Sequence, residues 1–167
     1  MYKTYIFDLD GTLLNTLGDL AASTNYALRQ YGMPEHTIDD VRRFVGNGVG
    51  KLIERAIPEG LANPQYEDVL ATFRKHYMLH SLDTTAPYPG IESLLHSLRS
   101  HGCNVAVVSN KFYNATVELC RHFFADTVEV AIGEGDNIRR KPAPDTVFEA
   151  MRQLGVSGED TVYVGDS

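Results

Sequence analysis

The sequence has few cysteines, fewer basic than acidic residues and no long hydrophobic run. Its two cysteines, Cys103 and Cys120, sit beside apolar residues and lack C-x-x-C spacing, so we expect reduced packing residues in a cytoplasmic protein. The 15 lysines and arginines against 22 aspartates and glutamates give a net charge of −7. This balance argues against nucleic-acid and membrane-surface partners, since both require a basic face. Met1 leads almost at once into a predicted strand and no apolar run approaches membrane length, so we expect neither a signal peptide nor a membrane anchor.

The remaining composition is that of an ordinary globular protein, with 43% hydrophobic and 22% charged residues. The 167 residues suffice for one well-packed domain and a smaller companion. Residues 15–83 show helical periodicity, whereas strands and helices alternate from residue 84 onward. Such alternation is typical of a parallel sheet. We therefore predict an α/β fold with a Rossmann-like parallel sheet core, formed by residues 1–14 and 84–167, and an inserted α-helical domain, residues 15–83.

The first predicted strand ends in the most informative motif. Tyr5 to Phe7 form an apolar, β-favouring run that stops abruptly at Asp8 and Asp10, followed by Gly11. The carboxyl ends of strands in an open α/β sheet face the crevice where ligands bind. Two carboxylates delivered there repel each other, and a bound cation or a proton on one of them relieves the repulsion. A simple Asx turn is the alternative for this segment taken alone.

Local signals also mark helix starts in the inserted segment. Thr16 with Asp19, and Thr37 with Asp40, have the spacing of capping boxes. Residues 46–48, Gly-Asn-Gly, predict a tight turn before a third helix. These signals indicate a small helical bundle.

Two histidines of the last predicted helix in this segment have a spacing that can bind zinc. His76 and His80 fall at positions i and i+4. No third ligand is evident nearby, so we interpret them as surface residues.

Three further strands are predicted over residues 104–108, 128–132 and 161–164, with a helix over residues 145–154. Polar residues follow the first and last of these strands and precede that helix. Parallel strands end at one edge of a sheet, so we expect these residues to lie near the two aspartates. They are Ser109, Asn110, Lys141, Gly165 and Asp166.

The order of these motifs resembles that of the haloacid dehalogenase superfamily of phosphotransferases. The matching segments are D-L-D-G-T from Asp8, V-V-S-N ending at Asn110, K-P-A-P from Lys141 and G-D-S ending at Ser167. The resemblance spans the whole chain. It implies that residues 15–83 are the small α-helical cap of the most populated subclass of this superfamily.

The resemblance implies a role for each matching residue. Asp8 would be the nucleophile that forms an aspartyl-phosphate, and Asp10 would be the general acid and base. Mg²⁺ would be held by the side chains of Asp8 and Asp166 and by the main-chain oxygen of Asp10. The phosphate group would be bound by Ser109, Asn110, Lys141 and Gly11.

A narrower resemblance concerns substrate selectivity. The segments V-G-N-G and L-I-E-R-A within residues 45–56, with S-N-K at residues 109–111, are similar to those of phosphoglycolate phosphatases. The core motifs would contact only the phosphoryl group and the metal, so we expect selectivity from the inserted segment. Candidate substrate residues there are Asn47, Gly48, Lys51 and Arg55, although Lys51 and Arg55 also fit a solvated helix face.

These expectations define a Mg²⁺-dependent phosphatase for a small phosphorylated metabolite, with 2-phosphoglycolate as the candidate substrate and a monomer or homodimer as the assembly. A phosphomutase would share the core motifs, but the sequence has no clear acid–base pair for it in the inserted segment. A non-catalytic binding protein should have lost Asp8 or Asp10 and has lost neither. A dehalogenase is disfavoured because it needs no second acid and no metal.

One departure from the family pattern concerns the end of the chain. In the family, the last motif continues to a further acidic residue and then to another strand with flanking helices. This chain ends at Ser167. The resemblance therefore implies that a C-terminal part is missing from the sequence.

Overall fold

The computed structural model describes residues 2–135 and 137–166 and divides into two compact units. The sheet unit comprises Met1–Asn15 and Ala86–Ser167, and the helical unit comprises Thr16–Thr85. Ser167, the last residue of the G-D-S motif, lies outside the described residues.

The sheet unit is built on a parallel sheet with the strand order β5-β4-β1-β6. The predicted α/β class is thereby confirmed. The first strand of the sequence lies at an interior position, because it pairs with β4 on one side and with β6 on the other. The strands are β1 (Thr4–Phe7), β4 (Asn104–Phe112), β5 (Val130–Glu134) and β6 (Thr161–Val164), and the helices of the unit are α5 (Ile91–Ser100), α6 (Tyr113–Phe124) and α7 (Asp145–Leu154).

Both faces of this sheet are apolar, which explains why its strands lack strict alternation. On one face, Phe7 packs with Val105, Val107 and residues of α5 and α6. On the other face, Ile6 packs with Ala106 and other residues that include members of α7. Two covered faces fix the register of β1, because a shift by one residue would exchange its two sets of side chains.

Strand β4 is longer than predicted and is irregular at its carboxyl end. The register shifts between Val108 and Phe112, where Phe112 pairs with Glu134 of β5. A Cβ at Gly133 would lie 2.7 Å from the main-chain oxygen of Lys111 and 2.6 Å from the Cα of Tyr113, so only glycine allows this approach. The strand prediction over residues 104–108 stopped too early because this pairing involves a distant segment.

Strand β5 begins two residues later than predicted, at Val130. The N–H of Val128 donates to the main-chain oxygen of Phe124 at 2.9 Å, which extends the end of α6. A short antiparallel ribbon also forms between β2 (Leu14–Asn15) and β3 (Ala86–Pro87). The sequence analysis predicted no strand in either of these two segments.

The helical unit contains four α-helices, α1 (Leu17–Gln30), α2 (Ile38–Phe44), α3 (Val49–Ala56) and α4 (Tyr66–His80). The predicted capping box before α2 is confirmed, since Thr37 and Asp40 exchange side-chain and main-chain hydrogen bonds. The turn at residues 46–48 leads into α3 as predicted, with Gly48 at a φ of 83°.

The predicted capping box of Thr16 and Asp19 is wrong. Thr16 makes no side-chain cap, and the carboxylate of Asp19 accepts hydrogen bonds from the main-chain N–H and the hydroxyl of Thr84 and of Thr85. These threonines are distant in sequence and offered no local signal. Burial of Asp19 acts to raise its pKa, but the hydrogen bonds from Thr84 and Thr85 together lower it below the usual value.

We expect Asp19→Asn to lower the free energy of unfolding at pH 7 by about 1–3 kcal/mol, the scale for hydrogen bonds to a charged group. The contribution of Asp19 is present above its ordinary pKa of 3.8 and is lost as the pH falls through the lowered folded-state pKa. The difference between the two proteins should therefore shrink in acid. Urea denaturation across pH 2–7 measures it, and a difference that stayed constant to pH 2 would contradict this assignment.

The two histidines of α4 are not simple surface residues. His76 is half-buried, stacks on Tyr26 and His80, and shares a hydrogen bond of 3.0 Å with the hydroxyl of Ser23. Burial of His76 and the proximity of His80 lower the pKa of His76. Among the described residues, no group of three or more histidine, cysteine or acidic side chains is arranged to hold a metal.

The cysteines behave as packing residues. Cys103 and Cys120 are buried and form no disulfide. Burial, with a smaller contribution from Asp10, raises the pKa of Cys120 to about 12, so its thiol stays protonated at neutral pH. Within residues 2–135 and 137–166, no helix combines the length and the hydrophobicity of a membrane span.

Candidate active site

The predicted site residues of β1 and β6 meet at the carboxyl edge of the sheet. β1 and β6 are neighbours, so Asp8 and Gly165 follow paired strand ends. A Cβ at Gly165 would lie 2.9 Å from the Cβ of Asp8, which shows how closely the two loops approach. A Cβ at Gly11 would lie 2.5 Å from Oδ2 of Asp166. The two glycines therefore make room for the two carboxylates.

Asp8 is buried and forms an ion pair. Its Oδ2 lies 2.8 Å from Nζ of Lys141, and its Oδ1 accepts the N–H of Leu9 at 2.7 Å. The side chain of Asp8 is 4% exposed and that of Lys141 is 8% exposed. Burying two charges is costly unless they are paired, and the contact between Asp8 and Lys141 supplies this pairing.

Hydrogen bonds hold both the main chain and the side-chain ammonium of Lys141. Its main-chain N–H donates to Oδ1 of Asn110 at 2.8 Å, and its main-chain oxygen accepts from Nδ2 of Asn110 at 3.2 Å. Its ammonium donates to the hydroxyl of Tyr163 at 3.0 Å and lies 5.6 Å from the centre of that ring, within cation–π range. Asn110 thus fixes the loop of Lys141, whereas the sequence analysis predicted it as a phosphate ligand.

Tyr163 is a site residue that the sequence analysis missed. Its β6 position is paired with Ile6 of β1, so it projects from the sheet face covered by α7. Partial burial raises the pKa of Tyr163 by more than the hydrogen bond from Lys141 lowers it. The phenol is therefore neutral at pH 7 and accepts a hydrogen bond from the lysine. A tyrosine within an apolar strand gave no signal of this contact.

Asp10 forms a second ion pair, with Lys111. Nζ of Lys111 lies 3.1 Å from Oδ1 of Asp10, and the lysine side chain is only 2% exposed. The N–H of Lys111 donates to Oγ of Ser109 at 3.1 Å. The sequence analysis used Lys111 only as part of a family resemblance. A lysine three residues after the apolar run that ends at Val108 was the signal that could have identified it.

Asp166 and Gly11 complete the edge of the site. The hydroxyl of Thr12 donates to Oδ1 of Asp166 at 3.4 Å, and Asp166 is exposed. Gly11 has a φ of 80°, and its N–H donates to the main-chain oxygen of Leu14 at 3.0 Å. Gly11 therefore provides space and a left-handed turn, while its predicted contact with phosphate stays a prediction.

The donor set at this edge is suited to a hard divalent cation. Asp8 and Asp166 supply carboxylate oxygens, and Asp10 precedes Gly11, whose Cα lies beside the carboxylate of Asp166. Oxygen donors of this kind are the ligands that Mg²⁺ prefers. Two carboxylates and one main-chain oxygen thus suit the ion in donor type, whereas the three acidic side chains do not form a metal-binding cluster in the part of the chain that the structure describes.

Arg55 and Lys51, two of the candidate substrate residues, make contacts within the helical unit. Arg55 donates to the main-chain oxygen of Phe44 at 2.8 Å and to Oδ1 of Asn47 at 3.0 Å. Lys51 lies 2.7 Å from both carboxylate oxygens of Glu54. The structure thus gives Arg55 a role in shaping the turn at residues 46–48 and gives Lys51 a local ion pair.

Comparison with known proteins identifies the family of this chain. The sequence profile described as haloacid dehalogenase-like hydrolase matches residues 5–167. A phosphoglycolate phosphatase of Aquifex aeolicus (strain VF5) is 32% identical, over 99% of this chain and 76% of the relative. A phosphoglycolate phosphatase of Neisseria meningitidis serogroup A (serotype 4A, strain DSM 15465 / Z2491) is 35% identical, over 96% of this chain and 71% of the relative.

A solved structure has the same fold. The protein, from Lactobacillus delbrueckii subsp. bulgaricus ATCC BAA-365 and proposed to be a phosphoglycolate phosphatase, is 38% identical with a TM-score of 0.93. The match covers 99% of this chain and 79% of that structure. The relatives confirm the predicted enzyme class, a phosphoric monoester hydrolase. With the matched profile and the two aspartates at the end of β1, they show that this chain belongs to the haloacid dehalogenase-like hydrolase family.

Proposed function

We propose that the chain is a Mg²⁺-dependent phosphatase that hydrolyses a small carboxylated phosphate monoester through an aspartyl-phosphate. The observation that carries this proposal is the pair of carboxylates at the end of β1, each facing its own buried lysine. One carboxylate can serve as the nucleophile while the other transfers protons.

In the first step, an oxygen of Asp8 forms a bond to phosphorus and the bond from phosphorus to the leaving oxygen breaks. Asp10 gives its proton to that oxygen, so the product leaves as an alcohol. In the second step, Asp10 takes a proton from water, the water oxygen bonds to phosphorus, and the bond from phosphorus to Asp8 breaks. Asp8 is regenerated and inorganic phosphate is released.

Lys141 and Ser109 are the residues that would bind the equatorial oxygens of the transferred group. Charge on these oxygens must be stabilised in a loose, in-line transition state. Asn110 would act through Lys141, because its side chain holds the main chain of that residue. These assignments make Asn110 a positioning residue.

The charge balance of the site supports a divalent cation. Asp8 and Asp10 are each paired with a lysine, and Asp166 adds a further acidic group at the same edge. A phosphate ester would add more negative charge. Mg²⁺ held by Asp8, Asp166 and the main-chain oxygen of Asp10 would, when bound, offset this repulsion and polarise the phosphoryl group.

The proposed substrate is 2-phosphoglycolate, because relatives that align with 96% to 99% of this chain are phosphoglycolate phosphatases. A phosphomutase and a non-catalytic binding protein on the same fold are the competing functions. Retention of both aspartates disfavours the binding protein. The cytoplasmic location and the monomer or homodimer state stay predictions.

A panel of small phosphate esters and a bulky aryl phosphate tests the proposal on the purified chain. We expect release of inorganic phosphate that stops with a chelator, returns with Mg²⁺ and is fastest on 2-phosphoglycolate. Transfer of phosphate between sugar positions without release would identify a mutase instead. Binding of the esters without turnover would identify a binding protein.

The predicted selectivity residues give a second test. We expect Arg55→Ala and Asn47→Ala to lower kcat/KM for 2-phosphoglycolate by roughly 10-fold or more, the scale of a lost hydrogen bond to a charged group. The aryl phosphate, which has no carboxylate, should be affected much less. The kcat/KM values of each variant on both substrates measure the difference.

A matched control for Arg55 is Arg43→Ala, which removes an exposed arginine of α2 paired with Asp40. This variant should leave both substrates unaffected. Equal losses on the two substrates with Arg55→Ala would mean that Arg55 only shapes its loop.

A further inference from the structure

We propose that Lys111 is a positioning residue for Asp10, the residue assigned here to proton transfer. The inference rests on the proposed phosphatase function and adds a residue to its machinery. Lys111 would neither touch the phosphate nor donate a proton. It would fix the orientation of the Asp10 carboxylate through both chemical steps.

Lys111 is more deeply buried than Asp10, its ion-pair partner. The side chain of Lys111 is 2% exposed, whereas that of Asp10 is 25% exposed. A buried ammonium is costly unless it has a charged partner, and Asp10 supplies one at 3.1 Å. The exposed fraction of Asp10 leaves it accessible from the open edge of the sheet. The buried Lys111 can therefore orient the carboxylate of Asp10, which remains accessible for reaction.

Hydrogen bonds hold the main chain of Lys111 in place. Its N–H donates to Oγ of Ser109 at 3.1 Å, and its oxygen accepts from the hydroxyl of Thr116 at 3.2 Å. Gly133 of β5 packs against the same oxygen, since a Cβ there would lie 2.7 Å away. The irregular end of β4 therefore sets both the position of Lys111 and the direction of its side chain.

Lys111 and Lys141 form ion pairs with different aspartates. Lys141 contacts Asp8 at 2.8 Å and Lys111 contacts Asp10 at 3.1 Å, so different lysines contact the two carboxylates in these pairs. A proton-transfer group misplaced by about 1 Å can lose roughly 10²-fold in rate. Without Lys111, the Asp10 side chain would lose its ion-pair anchor beside a second negative charge.

The test is a double-mutant cycle with Lys111→Met and Asp10→Asn, measured as kcat and KM on the substrate that the wild type hydrolyses fastest. Methionine keeps the length and the apolar stem of lysine without its charge. We expect Lys111→Met to lower kcat by about 10²-fold with little change in KM or in inhibition by inorganic phosphate. In the Asp10→Asn background the same change should alter kcat by less than about twofold.

Stability measurements separate this role from a structural one. Removing one partner of a buried ion pair is destabilising, because the other charge is left uncompensated. Lys111→Met should therefore lower the urea midpoint by an amount that the Asp10→Asn background reduces, and kcat is measured without urea, where circular dichroism shows each variant to be folded. Lys3→Met is the matched control, because Lys3 makes an exposed ion pair with Asp160 in the same unit. It should change neither property.

Several results would overturn the inference. A loss from Lys111→Met that is as large in the Asp10→Asn background as in the wild type would show that Lys111 acts independently of Asp10. A rise in KM and weaker phosphate inhibition with kcat preserved would make it a phosphate ligand. If Lys111→Met fails to fold, Lys111→Gln takes its place in the cycle with the same criteria. A wild type inactive on every ester would overturn the proposed function itself, and the inference with it.

Discussion

Asp8→Asn should abolish turnover, with kcat falling by roughly 10⁴- to 10⁶-fold, the scale seen when other hydrolases lose a covalent nucleophile or its partners. The amide cannot replace the carboxylate as the atom that bonds to phosphorus. The fold should survive, because asparagine has nearly the same shape and its amide oxygen can still accept from Lys141. Steady-state release of phosphate in the presence of Mg²⁺ measures the loss, and circular dichroism checks the fold.

Binding of inorganic phosphate gives Asp8→Asn a second readout. Removing the carboxylate 2.8 Å from Lys141 removes a negative charge that competes for the ammonium. Phosphate should therefore bind the variant at least as tightly as it binds the wild type, measured as a shift in Tm. Asp160→Asn is a matched control, because Asp160 is exposed and its carboxylate forms an ion pair with the exposed Lys3 at 3.1 Å. Retained hydrolysis in Asp8→Asn would exclude Asp8 as the nucleophile.

Asp10→Asn should slow turnover by about 10²- to 10⁴-fold, the usual contribution of general acid–base catalysis. The effect should be largest on alkyl phosphates, whose leaving oxygen needs a proton. An aryl phosphate needs less help in the first step, so its phosphoryl group should reach Asp8 and then wait for an activated water. We therefore expect a covalent phosphate adduct to accumulate on this variant.

Intact-protein mass spectrometry after acid quenching detects such an adduct. The wild type provides the control, because its adduct should be hydrolysed as fast as it forms or nearly so. Turnover of both ester classes at the wild-type rate would show that Asp10 has no acid–base role. Slow turnover without any adduct would place the role of Asp10 in the first step alone.

The sequence predicted the sheet and the cluster of polar residues at its carboxyl edge, because the underlying signals are local. The run of Tyr5 to Phe7 is apolar and β-favouring, and the charge at Asp8 ends it within one residue. Thr37 and Asp40 are three residues apart, so their capping box depends only on nearby main chain. Such a motif can be predicted from the sequence because all of its hydrogen-bonding partners lie within one short segment.

The errors of prediction have one physical origin, which is competition between a local partner and a distant one. The carboxylate of Asp19 was expected to cap its own helix but binds Thr84 and Thr85 instead, which together offer it more donors. Strand β4 was expected to end at Val108, but pairing of Phe112 with Glu134 extends it. Neither partner could be identified from spacing along the chain.

The same distinction applies to the active site. The sequence by itself determined which carboxylates stand at the end of β1 and that a lysine precedes α7, since both follow from the order of residues. Only the tertiary structure decided that Lys141 faces Asp8, that Lys111 faces Asp10, and that Asn110 binds main chain. Buried charges must be paired, and which charges come within reach depends on how β1, β4 and the loop before α7 pack together.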